Sequence, residues 1–210
     1  MARFIVGMTG ASGSIYARRL IEKLLERDHE ILITITASGL MVVGQELNLK
    51  LGAESSEEET AFVLRERFGL ERTSQRLLYY RCDNIGAPIA SGSFRTDGMI
   101  VVPCTMAAVS AIAHGASNDL LERAADVMMK ERKRLVLVPR ETPYNTVHLK
   151  NMLFLSQNGV HIVPASPSFY HGPQTLQELV DFFVGRLMDQ LGLDHDEIPR
   201  WQGMKDTHQS

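Results

Sequence analysis

Short apolar runs alternate along the chain with longer segments in which apolar residues recur every three or four positions. The short runs are apolar on both faces, and several are β-branched, which is typical of strands buried inside a parallel sheet. We predict strands at 3–9, 30–36, 77–80, 98–102, 135–138 and 161–165. The fourth strand is expected to be closed by Pro103.

The segments between these runs have the spacing of helices that pack one face against a sheet. Ser55 or Ser56 is expected to cap a helix that reaches Phe68, because three acidic residues fill its first turn. Another helix opens at Asn118 or Asp119. The remaining helices are predicted at 14–27, 40–47, 105–113, 146–158 and 175–191. The last one is expected to bury a face formed by Leu176, Leu179, Val180, Phe183, Leu187 and Leu191.

This alternation predicts an α/β fold with three layers, in which a mostly parallel sheet of the flavodoxin or Rossmann type carries helices on both faces. We expect one domain over residues 1–210, with a C-terminal arm from about residue 193. The arm contains Ile198, Arg200 and Trp201. We expect it to dock on the chain's own surface, the alternative being a contact with a neighbouring subunit.

Composition narrows the class of protein. The chain has 210 residues, of which 44% are hydrophobic and 22% are charged, as is usual for a globular protein. Its net charge is −3, so it lacks the excess of positive charge that is typical of nucleic-acid-binding proteins. Its apolar runs are far shorter than the ~18–20 residues of a membrane span, and its start has no signal-peptide pattern. Two cysteines, Cys82 and Cys104, give neither a disulfide framework nor a metal pair. We therefore expect a cytoplasmic protein.

Polar and small residues follow five of the predicted strands. Ligands of open parallel sheets bind outside the carboxyl ends of the strands, so these segments are expected to form one site, although loops are generally polar. The segments are Thr9–Gly13, Thr36–Gly39, Pro103–Thr105, Pro139–Thr142 and Ser166–His171.

The turn from Gly10 to Gly13 precedes a helix, so its amides are suited to bind a phosphate. The sequence lacks Gly-Lys-Ser/Thr, which excludes a nucleoside triphosphate loop, and its glycines do not form GxGxxG. Thr36 stands where an acidic residue would bind the ribose of a dinucleotide. A mononucleotide such as FMN fits these loops better.

Arg140 and Glu141 directly follow an apolar strand. The arginine can bind a phosphate through two hydrogen bonds, and the carboxylate can act as an acid or base; the alternative is a structural ion pair. Cys104 is interpreted as a packed residue rather than a thiolate nucleophile. His148 and His171 lack metal-ligand spacing and are interpreted as surface or hydrogen-bonding residues.

Several motifs, in this order along the chain, resemble those of the flavin prenyltransferases, the UbiX family. The resemblance extends through nearly the whole chain, and LVLVPRETP together with ERAADVMMKER is its most specific part. The matching motifs are GMTGASG at 7–13, SGS at 91–93, VPCT at 102–105, DLLERAAD at 119–126, KER at 130–132, LVLVPRETP at 135–143, FYH at 169–171, Arg186, and PRW at 199–201.

The resemblance implies a transferase that joins a dimethylallyl group, from dimethylallyl phosphate, to N5 and C6 of reduced FMN. The prenylated FMN then serves a UbiD-type decarboxylase that acts on aromatic or unsaturated acids, including the ubiquinone precursor. The donor is expected to be the monophosphate, with the diphosphate as the alternative, and no metal is required. The resemblance also implies a large homo-oligomer, commonly a dodecamer, with sites between subunits.

Site residues carry over by position within the matching motifs. The resemblance assigns acid–base chemistry to Glu46 and Glu141 and places Ser12 near flavin N5. It assigns FMN binding to Gly10, Ala11, Ser12, Thr36 (or Ser38), Thr105, Met106, Ala107, Ala108, Arg123 and Arg140. It assigns the dimethylallyl phosphate to Ser91, Lys130, Arg140, Tyr170 and Arg186.

Two positions depart from the family pattern. Ala37 replaces a lysine that many members carry, and Ala108 replaces a threonine. The second change removes a hydroxyl expected to bond the flavin, worth roughly 0.5–1.5 kcal/mol. None of the phosphate-binding or carboxylate positions is lost.

Three other functions remain as alternatives. Flavin-dependent cysteine decarboxylases share the fold, but their Pro-Ala-Ser-Ala-Asn-Thr and Pro-x-Met-Asn segments are replaced here by PCTMAA at 103–108 and PRETP at 139–143. Direct decarboxylation of an aromatic acid predicts release of CO2 by the pure protein. A non-catalytic flavin-binding subunit predicts tight FMN binding without turnover, and the presence of Glu141, Lys130 and Arg186 argues against it.

Overall fold

A computed structural model describes residues 1–52, 54–196, 198, 200 and 203. Six strands of this part of the chain form one sheet, in which every neighbouring pair is parallel. The strands are β1 Arg3–Met8, β2 Glu30–Ile35, β3 Leu77–Arg81, β4 Gly98–Cys104, β5 Leu135–Pro139 and β6 His161–Ile162.

Seven α-helices connect and cover the strands in the described part of the chain. None of them is long and apolar enough to cross a membrane. They are α1 Ser14–Glu26, α2 Ala37–Leu47, α3 Glu57–Arg67, α4 Met106–Ala113, α5 Leu120–Lys130, α6 Thr146–Gln157 and α7 Leu176–Leu191, and a short 3₁₀ turn covers Pro88–Ala90.

The strand order is β3-β2-β1-β4-β5-β6. The chain builds outward from β1 to β3, then crosses to the other side of β1 and continues with β4. Ile5 of β1 aligns with Leu32 of β2 on one side and with Met99 of β4 on the other. The β1–β4 boundary is therefore the point where connections diverge, which is where open parallel sheets bind ligands.

Alternate residues of β1 pack into two hydrophobic cores, one on each face of the sheet. Phe4, Val6 and Met8 pack with α1 and α7, whereas Ile5 packs with α4 and α5. The predicted three-layer α/β fold is confirmed, because strands this apolar must be covered on both faces.

Two strands end two or more residues from their predicted ends. β4 continues through Pro103 to Cys104, because the Pro103 carbonyl still accepts a hydrogen bond from the Thr9 amide at 3.2 Å. β6 covers only His161–Ile162 instead of 161–165. Beyond it, the amides of Val163 and Ala165 still bond to the carbonyls of Leu137 and Pro139, but Pro139 has no amide with which β5 could donate in return.

Most helix boundaries agree with the predictions within a few residues. Ser56, not Ser55, caps α3, in a reciprocal arrangement with Glu59, and Asp119 rather than Asn118 caps α5. α2 begins at Ala37 instead of residue 40, because Thr36 caps it. The prediction for Leu176 was wrong: its side chain is exposed, since it lies in the first turn of α7.

The described residues Ile198 and Arg200 of the C-terminal arm lie against α7. Ile198 is buried, and Arg200 pairs with Asp189. These residues dock on the chain's own surface, as expected for the arm. Pro199 and Trp201, which belong to the same predicted segment, lie outside the described residues.

Candidate active site

The loops after β1 and β4 are held together by one buried hydroxyl. Thr9 Oγ1 donates to the Pro103 carbonyl at 2.9 Å and accepts from the Thr105 amide at 2.8 Å. Thr9 is almost fully buried. The threonine therefore fixes the loops after β1 and β4 to each other, at the boundary where the connections of the sheet diverge. The sequence analysis placed Thr9 in the first of these loops but gave it no role.

The N-terminus of α1 is occupied by a carboxylate of the protein. Glu46 Oε2, from the last turn of α2, accepts from the amides of Gly13 at 3.0 Å and Ser14 at 2.7 Å. The prediction that this turn presents these amides to a phosphate was wrong, because Gly13 has no side chain to cap the helix and Glu46 supplies the cap. A second anion there would meet a charge of the same sign.

These hydrogen bonds also set the charge of Glu46. Burial disfavours the ionised carboxylate, but hydrogen bonds from the Ser12 side chain and from the Gly13 and Ser14 amides outweigh it and lower the pKa of Glu46 below its ordinary value. The group is therefore ionised at neutral pH. In this geometry it can accept a proton or a hydrogen bond, and it holds the Ser12 loop against α2.

A second contact brings the first loop close to the start of α2. A Cβ atom on Gly10 would lie 2.6 Å from Ser38 Oγ, so only glycine permits this approach. Thr36 Oγ1 accepts from the Gly39 amide at 3.1 Å and lies 3.2 Å from Ser38 Oγ. The hydroxyls of Thr36 and Ser38 thus lie together at the N-terminus of α2.

A cleft of about 460 Å³ lies between the N-termini of α2 and α4. Thr105 caps α4 by accepting from the Ala108 amide at 3.2 Å. Two helix N-termini at one cleft favour an anion. The cleft is lined by Thr9, Thr36, Ala37, Ser38, Thr105, Ala107, Ala108, Asp119, Leu121 and Glu122.

Two predicted FMN residues have buried side chains, which leaves only their backbone for contact with a ligand. The side chains of Ala11 and Met106 are buried in the protein, Met106 within the core beneath α4. Conversely, Asp119 and Glu122 line the cleft although the sequence analysis gave them no role there. Asp119 accepts from the Glu122 amide, and Glu122 accepts from the Asn118 amide, so the two carboxylates cap α5.

Arg140 reaches from β5 across to the loop after β1. Its amide donates to the Cys104 carbonyl at 3.2 Å, and its Nε donates to the Ser12 carbonyl at 3.1 Å. Glu141 accepts from the Thr142 amide at 2.9 Å and is exposed. Within the part of the chain that the structure describes, Arg140 and Glu141 form no ion pair with each other. The alternative of a structural pair between them is therefore not supported.

Lys130 lies away from this edge. α5 ends at Lys130, shortly before β5 begins, so Lys130 lies toward the amino ends of the strands. Its Nζ pairs with Glu131 at 2.9 Å and lies beside Gly92, next to Ser91. Arg123, one turn into α5, donates to the Ala90 carbonyl and pairs with Asp126.

Tyr170 and Arg186 lie along α7. The Tyr170 ring meets Phe182 edge-on at 5.3 Å between ring centres, and Arg186 pairs with Asp189 at 2.7 Å. Arg186 is on the half of α7 that ends near Arg134, at the start of β5. One copy of the chain thus joins Ser12, Glu46 and Arg140 through hydrogen bonds, and Glu141 directly follows Arg140. It leaves Lys130 and Arg186 elsewhere.

Cys104 and His148 agree with their structural interpretations, whereas His171 does not. Burial raises the pKa of the Cys104 thiol to about 12, so the nucleophilic thiolate is absent at neutral pH. His148 takes part in the cap of α6 with Asn145. His171 stacks on Phe182 with 4.0 Å between ring centres. Both of its ring nitrogens are buried and have no hydrogen-bond partner in the described part of the chain, so its interpretation as a surface or hydrogen-bonding residue was wrong.

Comparison with known proteins gives a consistent result. The family described as Flavoprotein matches residues 1–188. The flavin prenyltransferase UbiX of Halalkalibacterium halodurans is 44% identical over 205 residues, which cover 98% of this chain and 96% of that protein. The relation therefore extends over nearly the full length of both proteins.

Solved structures show the same relation. AnUbiX, in complex with FMN and dimethylallyl pyrophosphate, matches with a TM-score of 0.82 and 34% identity, covering 97% of this chain and 99% of that chain. A dodecameric FMN-dependent UbiX-like decarboxylase from Escherichia coli O157:H7 matches with a TM-score of 0.80 and 39% identity, covering 96% and 100%. The cysteine decarboxylase SpaF is only 16% identical at a TM-score of 0.56, which shows a shared fold alone.

Proposed function

We propose, from the premise that this chain belongs to the flavin prenyltransferase family, that it transfers a dimethylallyl group from dimethylallyl phosphate to N5 and C6 of reduced FMN. The observation that carries this proposal is 44% identity to a flavin prenyltransferase over 98% of the chain. The chain also retains every charged residue that the resemblance assigns to the substrate phosphate and to proton transfer.

The cleft between α2 and α4 fits FMN. Its volume of about 460 Å³ is within the roughly 300–1,000 Å³ usual for small-molecule sites. We assign the FMN phosphate to the N-termini of α2 and α4, with Thr36, Ser38 and Thr105 as hydroxyl partners. The N-terminus of α1 is excluded because Glu46 already occupies it. Bound reduced FMN supplies the nucleophilic atoms N5 and C6.

The substrate phosphate is assigned to cations. Lys130, Arg140 and Arg186, with the hydroxyl of Tyr170, would stabilise the negative charge that develops on the leaving phosphate. Ser91 is assigned to the isoprenoid pocket. Because one copy separates Lys130 and Arg186 from Arg140, we propose that the site is completed between copies. The dodecameric state of the Escherichia coli relative supports this arrangement.

An exposed apolar surface beside Glu141 offers a place for a second copy. Exposed apolar patches often mark protein interfaces. α6 begins shortly after Glu141, and apolar side chains on this helix are about half exposed or more: Val147, Leu149, Leu153 and Phe154. A copy packed here would cover these side chains and could bring its cations close to Glu141.

Two carboxylates have different tasks in this proposal. Glu141, exposed beside Arg140, would deliver a proton to the phosphate oxygen as the allyl C–O bond breaks and the bond to N5 forms. The proton lost from N5 would pass through the released phosphate to the central allyl carbon as the former double bond bonds to C6, and Glu141 would accept the proton that C6 loses. Glu46 is ionised and bound to the Ser12 loop, so it acts as a carboxylate and keeps Ser12 in position. We further propose that a UbiD-type decarboxylase in the cytoplasm receives the prenylated FMN.

The test is an anaerobic reaction of the purified protein with reduced FMN and dimethylallyl phosphate, followed by mass spectrometry of the extracted flavin. The proposal predicts a gain of one C5H8 unit. A parallel reaction uses the diphosphate, because the AnUbiX complex contains dimethylallyl pyrophosphate. Unmodified FMN with both donors would contradict the proposal and favour direct decarboxylation or a non-catalytic flavin subunit, which CO2 release and FMN affinity then distinguish.

A further inference from the structure

One carboxylate on α7 collects three donors. Asp189 Oδ2 accepts from Arg186 Nη1 at 2.7 Å, and Oδ1 accepts from His195 Nε2 at 3.0 Å. Arg200 Nη1 lies 2.8 Å from Oδ1 and 2.9 Å from Oδ2. Arg186 comes from the same helix as Asp189, whereas His195 and Arg200 come from the C-terminal arm.

The arm docks on the helix turn that carries Arg186. Ile198 is buried, and a Cβ atom on Gly185 would lie 2.4 Å from Ile198 Cγ2. Arg200 Nη2 donates to the His195 carbonyl at 3.0 Å, and the His195 side chain is fully buried. The arm thus contacts α7 at two points beside Arg186: Ile198 packs on Gly185, and Arg200 bonds to Asp189.

This arrangement changes what Arg186 offers to an anion. Its side chain is 50% exposed, whereas that of Asp189 is 17% exposed. A carboxylate paired with Arg186 alone would compete with a phosphate for the guanidinium. Because Arg200 meets both oxygens of Asp189, it offsets this negative charge while Arg186 remains at the surface.

We propose that Arg200, on the C-terminal arm, is a positioning residue for the dimethylallyl phosphate site: it neutralises Asp189 so that Arg186 binds the substrate phosphate. This inference rests on the proposed function, since it takes Arg186 as a phosphate ligand. Loss of Arg200 then leaves Asp189 paired with Arg186 and weakens binding of the phosphate. FMN binding, at the carboxyl ends of the strands, does not change.

The test measures binding without chemistry. Dimethylallyl phosphate is titrated by calorimetry into the full-length protein loaded with oxidised FMN, which does not accept the allyl group. We expect Arg200→Ala to raise the Kd of dimethylallyl phosphate about fivefold and to leave the Kd of FMN unchanged. Arg67→Ala, which removes an exposed arginine from the last turn of α3, is the charge-matched control and should bind like wild type.

Two further variants separate the charge effect from a structural role. Asp189→Asn in the Arg200→Ala background removes the competing charge and should restore the Kd to within about twofold of wild type. Gly185→Ala displaces Ile198 without removing any charge, and should raise the Kd as Arg200→Ala does.

Each outcome decides between distinct conclusions. If wild type binds dimethylallyl phosphate and both arm variants bind it equally well, the arm is not part of the site, and the proposed function stands. If Arg200→Ala weakens binding but Asp189→Asn does not restore it, the role of Arg200 is structural and the charge mechanism is wrong. If wild type neither binds dimethylallyl phosphate nor prenylates FMN, the proposed function fails and this inference fails with it.

Discussion

The carboxyl ends of the strands and the helical surface around Lys130 and Arg186 are built differently. At the strand ends, polar groups are fixed by partners far away in sequence: Thr9 with Pro103 and Thr105, and Arg140 with Ser12. Lys130 and Arg186 instead extend from helices and pair with carboxylates within three residues of them. The flavin half of the site is thus organised within one chain, whereas the phosphate half presents exposed cations that another copy can use.

The largest effect should come from the carboxylate at the strand ends. Glu141→Gln keeps the shape of the side chain but cannot deliver or accept the proton, so we expect product formation to fall by at least ~100-fold. The FMN dissociation constant, measured by flavin fluorescence, should stay near that of wild type. Wild-type turnover in this variant would remove Glu141 from the mechanism.

A smaller effect is expected from the helical cations. Arg186→Ala should raise the KM for dimethylallyl phosphate about 10- to 100-fold, because a hydrogen bond to a charged group is worth roughly 1.5–3 kcal/mol. FMN affinity should be little changed. Loss of FMN binding instead would show that Arg186 binds the flavin, and that the strand ends and the helical surface do not have separate ligands.

The organisation of the flavin half can be tested through Thr9. Thr9→Val removes the hydroxyl that joins the two loops and leaves the Thr105 amide without its partner, so we expect a loss of about 1–3 kcal/mol in the free energy of unfolding. Urea denaturation measures this loss. Thr34→Val is the control, since Thr34 is equally buried but lies within β2 and not in one of these two loops. Equal stability of the two variants would show that Thr9 does not organise this edge.

The smallest effect concerns the pH dependence of the Glu46 cap. Its pKa is lowered in the folded protein, so the carboxylate stabilises the fold above its ordinary pKa of 4.5, and this contribution is lost as the pH falls through the lower folded value. Wild type should therefore be more stable than Glu46→Gln at pH 7, and the two should converge in acid below pH 4.5. A difference that grew on acidification would contradict the assignment of an ionised cap.

Much of the fold follows from local patterns, because fully apolar runs such as 135–138 have no stable place except a covered parallel sheet. Departures arise where tertiary contacts decide. β4 passes Pro103 because Thr9 bonds to its carbonyl, and Leu176 is exposed because it lies in the first turn of α7. The spacing of apolar residues along the sequence predicts neither the extension of β4 nor the exposure of Leu176.

The site was predictable to a similar extent. Strand ends with small and hydroxyl residues indicated the edge that contains the cleft, because topology alone brings such ends together. The Glu46 cap was not predictable, since it joins residues more than thirty positions apart. One signal was present: Gly13 has no side chain to cap the helix that follows it. The contacts of Asp189 with the arm likewise required the structure.

The central claim is that carboxylates at the strand ends of one copy work with cations of another. The most direct measurement co-expresses Glu141→Gln and Lys130→Ala chains with different affinity tags, purifies the mixed oligomer and measures prenylated FMN. Each variant alone should be nearly inactive. With random assembly, about one quarter of the sites receive both intact residues, so we predict recovery of about 25% of wild-type activity. A mixed oligomer as inactive as its parents would contradict the claim, because it would mean that both residues act within one chain.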